Sequence, residues 1–224
     1  MPKASVSRRP RRTRPRWQRR PADRPEEILD AALELFGEQG FARTKLDDVA
    51  RRAGVSKGTL YLYFDSKESL FREMVRTRIV STVVQSEAII RAHTGSYLDL
   101  LVTLATRMWQ LVRDPAAARI IRVVHSELGN FPELARFYFE EVILRSRRAL
   151  ESVINRAVEA GEFRPVDAAW AARALPILMV HSAQFQCFMG RYDATPLGDE
   201  RVFAGILDLF LHGVLTRPQA ASGV

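Results

Sequence analysis

Residues 46–70 read LDDVARRAGVSKGTLYLYFDSKESL. Leu46, Val49, Ala50 and Ala53 fall on one face of a helix. Gly54-Val55-Ser56 then breaks it, and Ser56 suits the cap of a second short helix. In that helix Leu60 and Phe64 return to the inside at i, i+4. Two short helices joined by a three-residue turn containing glycine form the helix-turn-helix pattern. The sizes fit the geometry. Ala50 is small where the helices cross, Gly54 supplies the positive φ of the turn, and Val55 and Leu60 fill the angle. Lys57, Gly58, Thr59 and Tyr61 are left facing outward. Ammonium and hydroxyl groups are common phosphate partners, and glycine lets a backbone approach a duplex closely.

The surrounding sequence is helical too. Ile28, Leu29, Ala32, Leu35 and Phe36 make one stripe of a helix near 25–39, with Pro25 in its first turn and Gly40 beyond its end. Thr44 is expected to cap the second helix with Asp47 as box partner. Asp65 or Ser66, with Glu68, opens a long helix to about Ala92. Further helices are expected over 97–113, 116–128, 132–161, 167–189 and 199–216, the last two capped by Asp167 and Asp199. No alternating strand pattern occurs. The chain therefore reads as all-α, with about nine helices. An N-terminal three-helix helix-turn-helix domain (25–72) precedes a C-terminal helical ligand-binding and dimerisation domain (73–217), and 218–224 reads as a flexible end.

Phe41-x-x-Thr44, Val49-Ala50 and the run from Ala53 to Leu70 resemble the DNA-binding domain of TetR-type transcriptional regulators. The resemblance implies that Thr44 and Lys45 meet backbone phosphates. It makes Ser56, Lys57, Gly58, Thr59 and Tyr61 part of the recognition helix, and puts Tyr63 and Lys67 at further backbone contacts. Leu62 departs from the family, which often has His, Tyr or Asn there; leucine offers a base only a contact with a thymine methyl. Residues 119–127 (RIIRVVHSE) and Phe131-Pro132-Glu133-Leu134 resemble the C-terminal domain of AefR-type members, often connected with efflux genes and small-molecule sensing.

Charge sharpens the picture. The chain has 224 residues and net charge +8. Residues 1–24 hold ten basic residues and one acid, so the remainder is close to neutral. Residues 25–72 hold seven basic and nine acidic residues. DNA binding by that unit thus requires placement of cations on one face, help from the tail, or dimerisation. The tail carries Pro2, Pro10, Pro15 and Pro21 and few large apolar groups, and is expected to be disordered. It reads as a solvated extension, as an arm adding phosphate contacts, or as a membrane-surface or targeting segment.

Other classes find little support. Cys187 stands alone, which excludes an intramolecular disulfide, and reads as a small buried residue. His93, His125, His181 and His212 lack metal spacing. No GxSxG, Walker, GxGxxG or HExxH motif occurs, so neither an enzyme nor a cofactor is expected.

Residues 174–190 carry no formal charge, and the last helix holds Phe203, Ile206, Leu207, Phe210 and Val214. Pro176, His181, Gln184 and Gln186 oppose a membrane span. Helices apolar on most faces need cover, which a second subunit across a two-fold axis provides. Phe185, Phe188, Phe203, Ile206, Leu207, Phe210 and Val214 are the expected interface. Met108, Trp109, Val112, His125, Phe137, Tyr138 and Met179 are the expected pocket for an unknown small-molecule effector, with Pro176 bending its helix beside them. The functional expectation is a cytoplasmic, ligand-responsive repressor that binds double-stranded DNA as a homodimer at a palindromic operator. A DNA-binding architectural protein without a ligand is the alternative, and a filled C-terminal core would favour it.

Overall fold

The computed structural model describes residues 24–215. The expectations for the basic tail up to Asp23 and for 218–224 lie outside these residues. Among the described residues there are nine helices and no strand beyond an isolated bridge between Phe163 and Leu215.

Helix α1 is Arg24–Gln39, α2 Leu46–Ala53 and α3 Lys57–Tyr63. Helix α4 covers residues 67–92 and contains a π-helical turn, Arg76–Val80. Then come α5, Tyr97–Arg113, and α6, Pro115–Glu127. Helix α7 covers residues 132–159 with a second π-turn, Phe139–Leu144. The last two are α8, Ala168–Met189, and α9, Asp199–Val214.

Several helix ends follow from sequence chemistry. Gly54 adopts φ 68°, and its N–H closes α2 on the Ala50 and Arg51 carbonyls. Ser56 Oγ accepts from Thr59 N at the start of α3, and Asp114 and Asp167 cap α6 and α8. Three caps differ from expectation. Thr44 turns inward, 2% exposed, and donates to the Gly40 carbonyl at 2.7 Å, so Lys45 stands at the α2 cap with no side-chain bond. Ser66 caps α4, but its reciprocal partner is Ser69 rather than Glu68. Gly198, not Asp199, occupies the α9 cap. Asp199 pairs instead with Arg113 at 2.5 Å, tying α9 to α5.

The core runs without interruption from Ile28 to Val214, through both units. Phe41 is its pivot. It packs on Phe36 at 4.9 Å, Phe71 at 5.8 Å and Phe131 at 4.8 Å, joining α1, α4 and the start of α7. The polar edge of this joint is equally ordered. The Glu127 carboxylate accepts from the N–H groups of Phe41 (2.9 Å) and Ala42 (2.8 Å). Lys67 donates to the carbonyls of the same two residues at 3.0 and 2.8 Å.

Gly40 permits this clamp. Its φ is 86°, and a Cβ there lies 2.3 Å from Glu127 Oε1. Gly40→Ala should therefore lower stability by about 1–3 kcal/mol, from left-handed strain and displacement of the carboxylate. Denaturant unfolding checks this, and a wild-type midpoint would contradict it.

Candidate functional site: recognition helix and cavity

The outward face of α3 carries Ser56, Lys57, Gly58, Tyr61, Leu62 and Tyr63, all exposed, with Lys45 exposed beside them at the start of α2. Thr59 is half-buried, and its hydroxyl contacts Ser56 Oγ at 2.8 Å. Leu62 is 83% exposed while Leu60, on the opposite face, is fully buried. Gly58 has no internal reason to be glycine, since a Cβ would meet only Ser56 Oγ at 3.8 Å. Glycine costs a helix about 1 kcal/mol against alanine, so a requirement from outside the chain is the economical explanation.

Cations on this unit are largely engaged. Arg51 pairs with Asp48, and Arg52 with Glu34 and Glu38. Lys57 pairs with Asp47, which raises its pKa and keeps it charged. Two expected contact residues are committed inside the protein. Thr44 is buried, as described. Lys67 Nζ is half-buried, 4.8 Å from the centroid of Phe41 and 5.7 Å from that of Phe131. Its ammonium holds the joint through two of its three N–H groups, while the Thr44 hydroxyl is turned wholly inward.

A cavity of about 470 Å³ opens among α4 to α8. Met108, Val112, His125 and Tyr138 line it as expected. Trp109, Phe137 and Met179 do not, and the reason is helical phase. Trp109 is one residue past Met108 and stacks on Phe203 at 5.8 Å. Phe137 turns to Arg72 and Arg76, and Met179 is fully buried in the core. Both π-turns contribute to the wall, through Ile79 and through Val142 and Ile143. Pro176 and Ala172, the residue whose carbonyl the proline releases, line it as well.

The polar lining was mostly missed. Arg147, Arg173, His181, Gln184, Ser86, Thr82 and Ser146 all face the space. Desolvation, and then the charge of His181, holds His125 below its ordinary pKa and favours its neutral form. Burial pushes the Tyr138 hydroxyl up, so it stays protonated as a donor.

The expected interface set divides. Ile206, Phe210 and Val214 pack into the chain's own core, and Phe203 and Leu207 are partly covered against it. These buried residues cannot form an open face, because α9 lies its main stripe on this subunit. Phe185 (52%) and Phe188 (38%) are exposed. They belong to a longer uncovered stripe along α8 that includes Trp170, Ile177, Leu178 and Met189 at helical spacing. Leu209 is the exposed apolar residue of α9. Cys187, expected to be buried, is exposed near the end of α8, where the helix runs past the core.

A tri-helical helix-turn-helix unit is thus fused to a helical domain that holds a cavity. The family model for bacterial regulatory proteins of the tetR family matches residues 28–74, and that for the AefR-like transcriptional repressor C-terminal domain matches 99–213. The chain belongs to the TetR family of transcriptional regulators, with an AefR-like C-terminal domain. It is 30% identical over 142 residues to the transcriptional repressor KstR2 of Rhodococcus jostii, covering 63% of this chain and 68% of that protein. A TetR-family regulator of Pseudomonas syringae superposes with TM-score 0.65 at 26% identity, over 87% of this chain and 98% of the other. FadR of Bacillus subtilis in complex with stearoyl-CoA shares the fold, with TM-score 0.68 at 20% identity over 84% and 98%. No helix among the described residues is long and apolar enough to cross a membrane.

Proposed function

We propose that the chain is a ligand-responsive repressor that binds a palindromic operator as a homodimer. The observation that carries this reading is the double engagement of α6. Ile121 and His125 line the cavity. On the same helix Glu127, two residues past His125, holds the backbone of Phe41 and Ala42, and Arg122, next to Ile121, reaches the Gly37 carbonyl at 3.4 Å. A ligand that prefers one position of α6 therefore biases the placement of the DNA-reading unit. The open cavity favours this reading over an architectural protein, for which a filled core is the simpler design. The names of relatives agree with it, since KstR2 is a repressor and the FadR structure holds an acyl-CoA.

On this reading residues 25–72 bind DNA and 73–217 sense and dimerise. Lys45, Ser56, Lys57, Gly58, Thr59, Tyr61 and Tyr63 form the DNA-facing set. The stripe of α8 with Leu209 forms the dimer face. Two recognition helices related by a two-fold axis read half-sites about 34–36 Å apart. Footprinting of genomic fragments retained by the purified chain tests the proposal. It should give a two-fold-symmetric protected site occupied by two chains, and an asymmetric footprint with one chain would overturn it.

The tail enters through salt dependence. Each cation engaged on a phosphate steepens the log–log salt slope by about 0.9. Deleting residues 1–24 should flatten that slope and weaken operator and random DNA alike, leaving their ratio nearly intact. An unchanged slope would make the tail a solvated extension.

A further inference from the structure

The lining of the cavity has one sign of charge. Its charged residues are Arg147 and Arg173, and it includes no aspartate or glutamate. Neither arginine has a carboxylate within ion-pair distance among the described residues. Arg147 lies over the Phe139 ring at 5.8 Å, and Arg173 donates to the Ala169 carbonyl of its own helix. Arg145, two residues before Arg147, shows the contrast: it pairs with Glu87 at 2.8 Å and Glu141 at 3.1 Å. A guanidinium presents five donors and stays charged, so a half-buried one without an anion has unused capacity. The rest of the wall is mostly aliphatic, from Val83, Leu104, Leu111 and Leu150 among others. At about 470 Å³ the space falls within the roughly 300–1,000 Å³ range of small-molecule sites.

We propose that the cavity takes an amphiphile with an anionic head and an apolar body, the head bound by Arg147 and Arg173 and the body laid along the aliphatic wall. This rests on the effector reading above and adds the chemical class. A cationic effector is disfavoured because no carboxylate faces the space. A neutral apolar one leaves both guanidiniums unused. The anion has two sources, a carboxylate or the phosphates of a thioester such as an acyl-CoA, whose nucleotide would extend outside a cavity of this volume.

Calorimetry on the full chain separates these cases with three probes of equal chain length: dodecanoate, dodecanoyl-CoA and methyl dodecanoate. At least one of the anionic probes should bind about tenfold or more tightly than the neutral ester, the scale of a charge-assisted hydrogen bond. Preference for dodecanoate identifies a carboxylate head, and preference for the thioester a phosphate. The R147Q/R173Q double variant should bring the preferred anion down to the affinity of the ester, while lysine at both positions should keep part of the preference. Equal binding of ester and anions by the wild-type chain, or an undiminished preference in the double glutamine variant, would overturn the proposal. The same titrations read against operator binding keep the two claims apart. If the ester alone binds and releases the operator, the anionic assignment falls and the effector reading stands.

Discussion

Leu178→Glu combined with Phe185→Glu should convert the protein to monomers and reduce operator affinity by more than a hundredfold. Both side chains are exposed, 42% and 52%, and lie seven residues apart on the α8 stripe. Neither supports the core of its own subunit, so the substitutions should leave the fold intact. Across a two-fold axis each carboxylate would meet an apolar surface or its own symmetry mate, without a partner to offset desolvation. Loss of the dimer removes the simultaneous use of two half-sites, which supplies most of the affinity for a palindrome. Sedimentation with operator titration checks both parts. A wild-type mass in the double variant would move the interface elsewhere. Charges at Phe210 would be a poorer test, because that residue is 8% exposed and its loss would damage the core.

Lys57→Ala and Tyr61→Ala should each weaken operator binding by about 1–3 kcal/mol with no loss of stability. Lys57 is exposed and held by Asp47 in the free protein, so part of its gain on DNA offsets the broken pair. Its loss should weaken specific and random DNA by similar factors and lower the salt slope by about 0.9. Tyr61 is 52% exposed on the same face and presents a ring and a hydroxyl. Its loss should bear more on the chosen site than on random sequence. Matched affinities for wild type and both variants at equal salt would remove α3 from the interface.

The DNA-reading unit was largely legible in the sequence, because its geometry is written in single residues. Gly54 sets a left-handed turn, Ser56 accepts from the free N–H of Thr59, and Ala50 and Leu60 fix the crossing. The inward turn of Thr44 and Lys67 was not legible. Both answer to the loop carbonyls of Gly40, Phe41 and Ala42, which local spacing does not bring together. Nor was the clamp at Glu127, 86 residues from Phe41. The cavity was half legible. Apolar composition marked α5 and α7, but one residue of helical phase separates Met108 in the wall from Trp109 in the core. The π-turn at Phe139–Leu144 shifts that phase again, bringing Ser146 and Arg147 to the cavity. On α9 composition announced burial without its source, which proved to be the same chain for Ile206, Phe210 and Val214.

The central claim is that α3 reads sequence. It is tested most directly by the affinity ratio of the intact chain for its footprinted site over random DNA at one salt concentration. The wild-type chain should show a ratio of at least about 10³ and the Lys57→Ala/Tyr61→Ala double variant a much smaller one. A wild-type ratio near one, or a ratio that the double variant leaves intact, would contradict it.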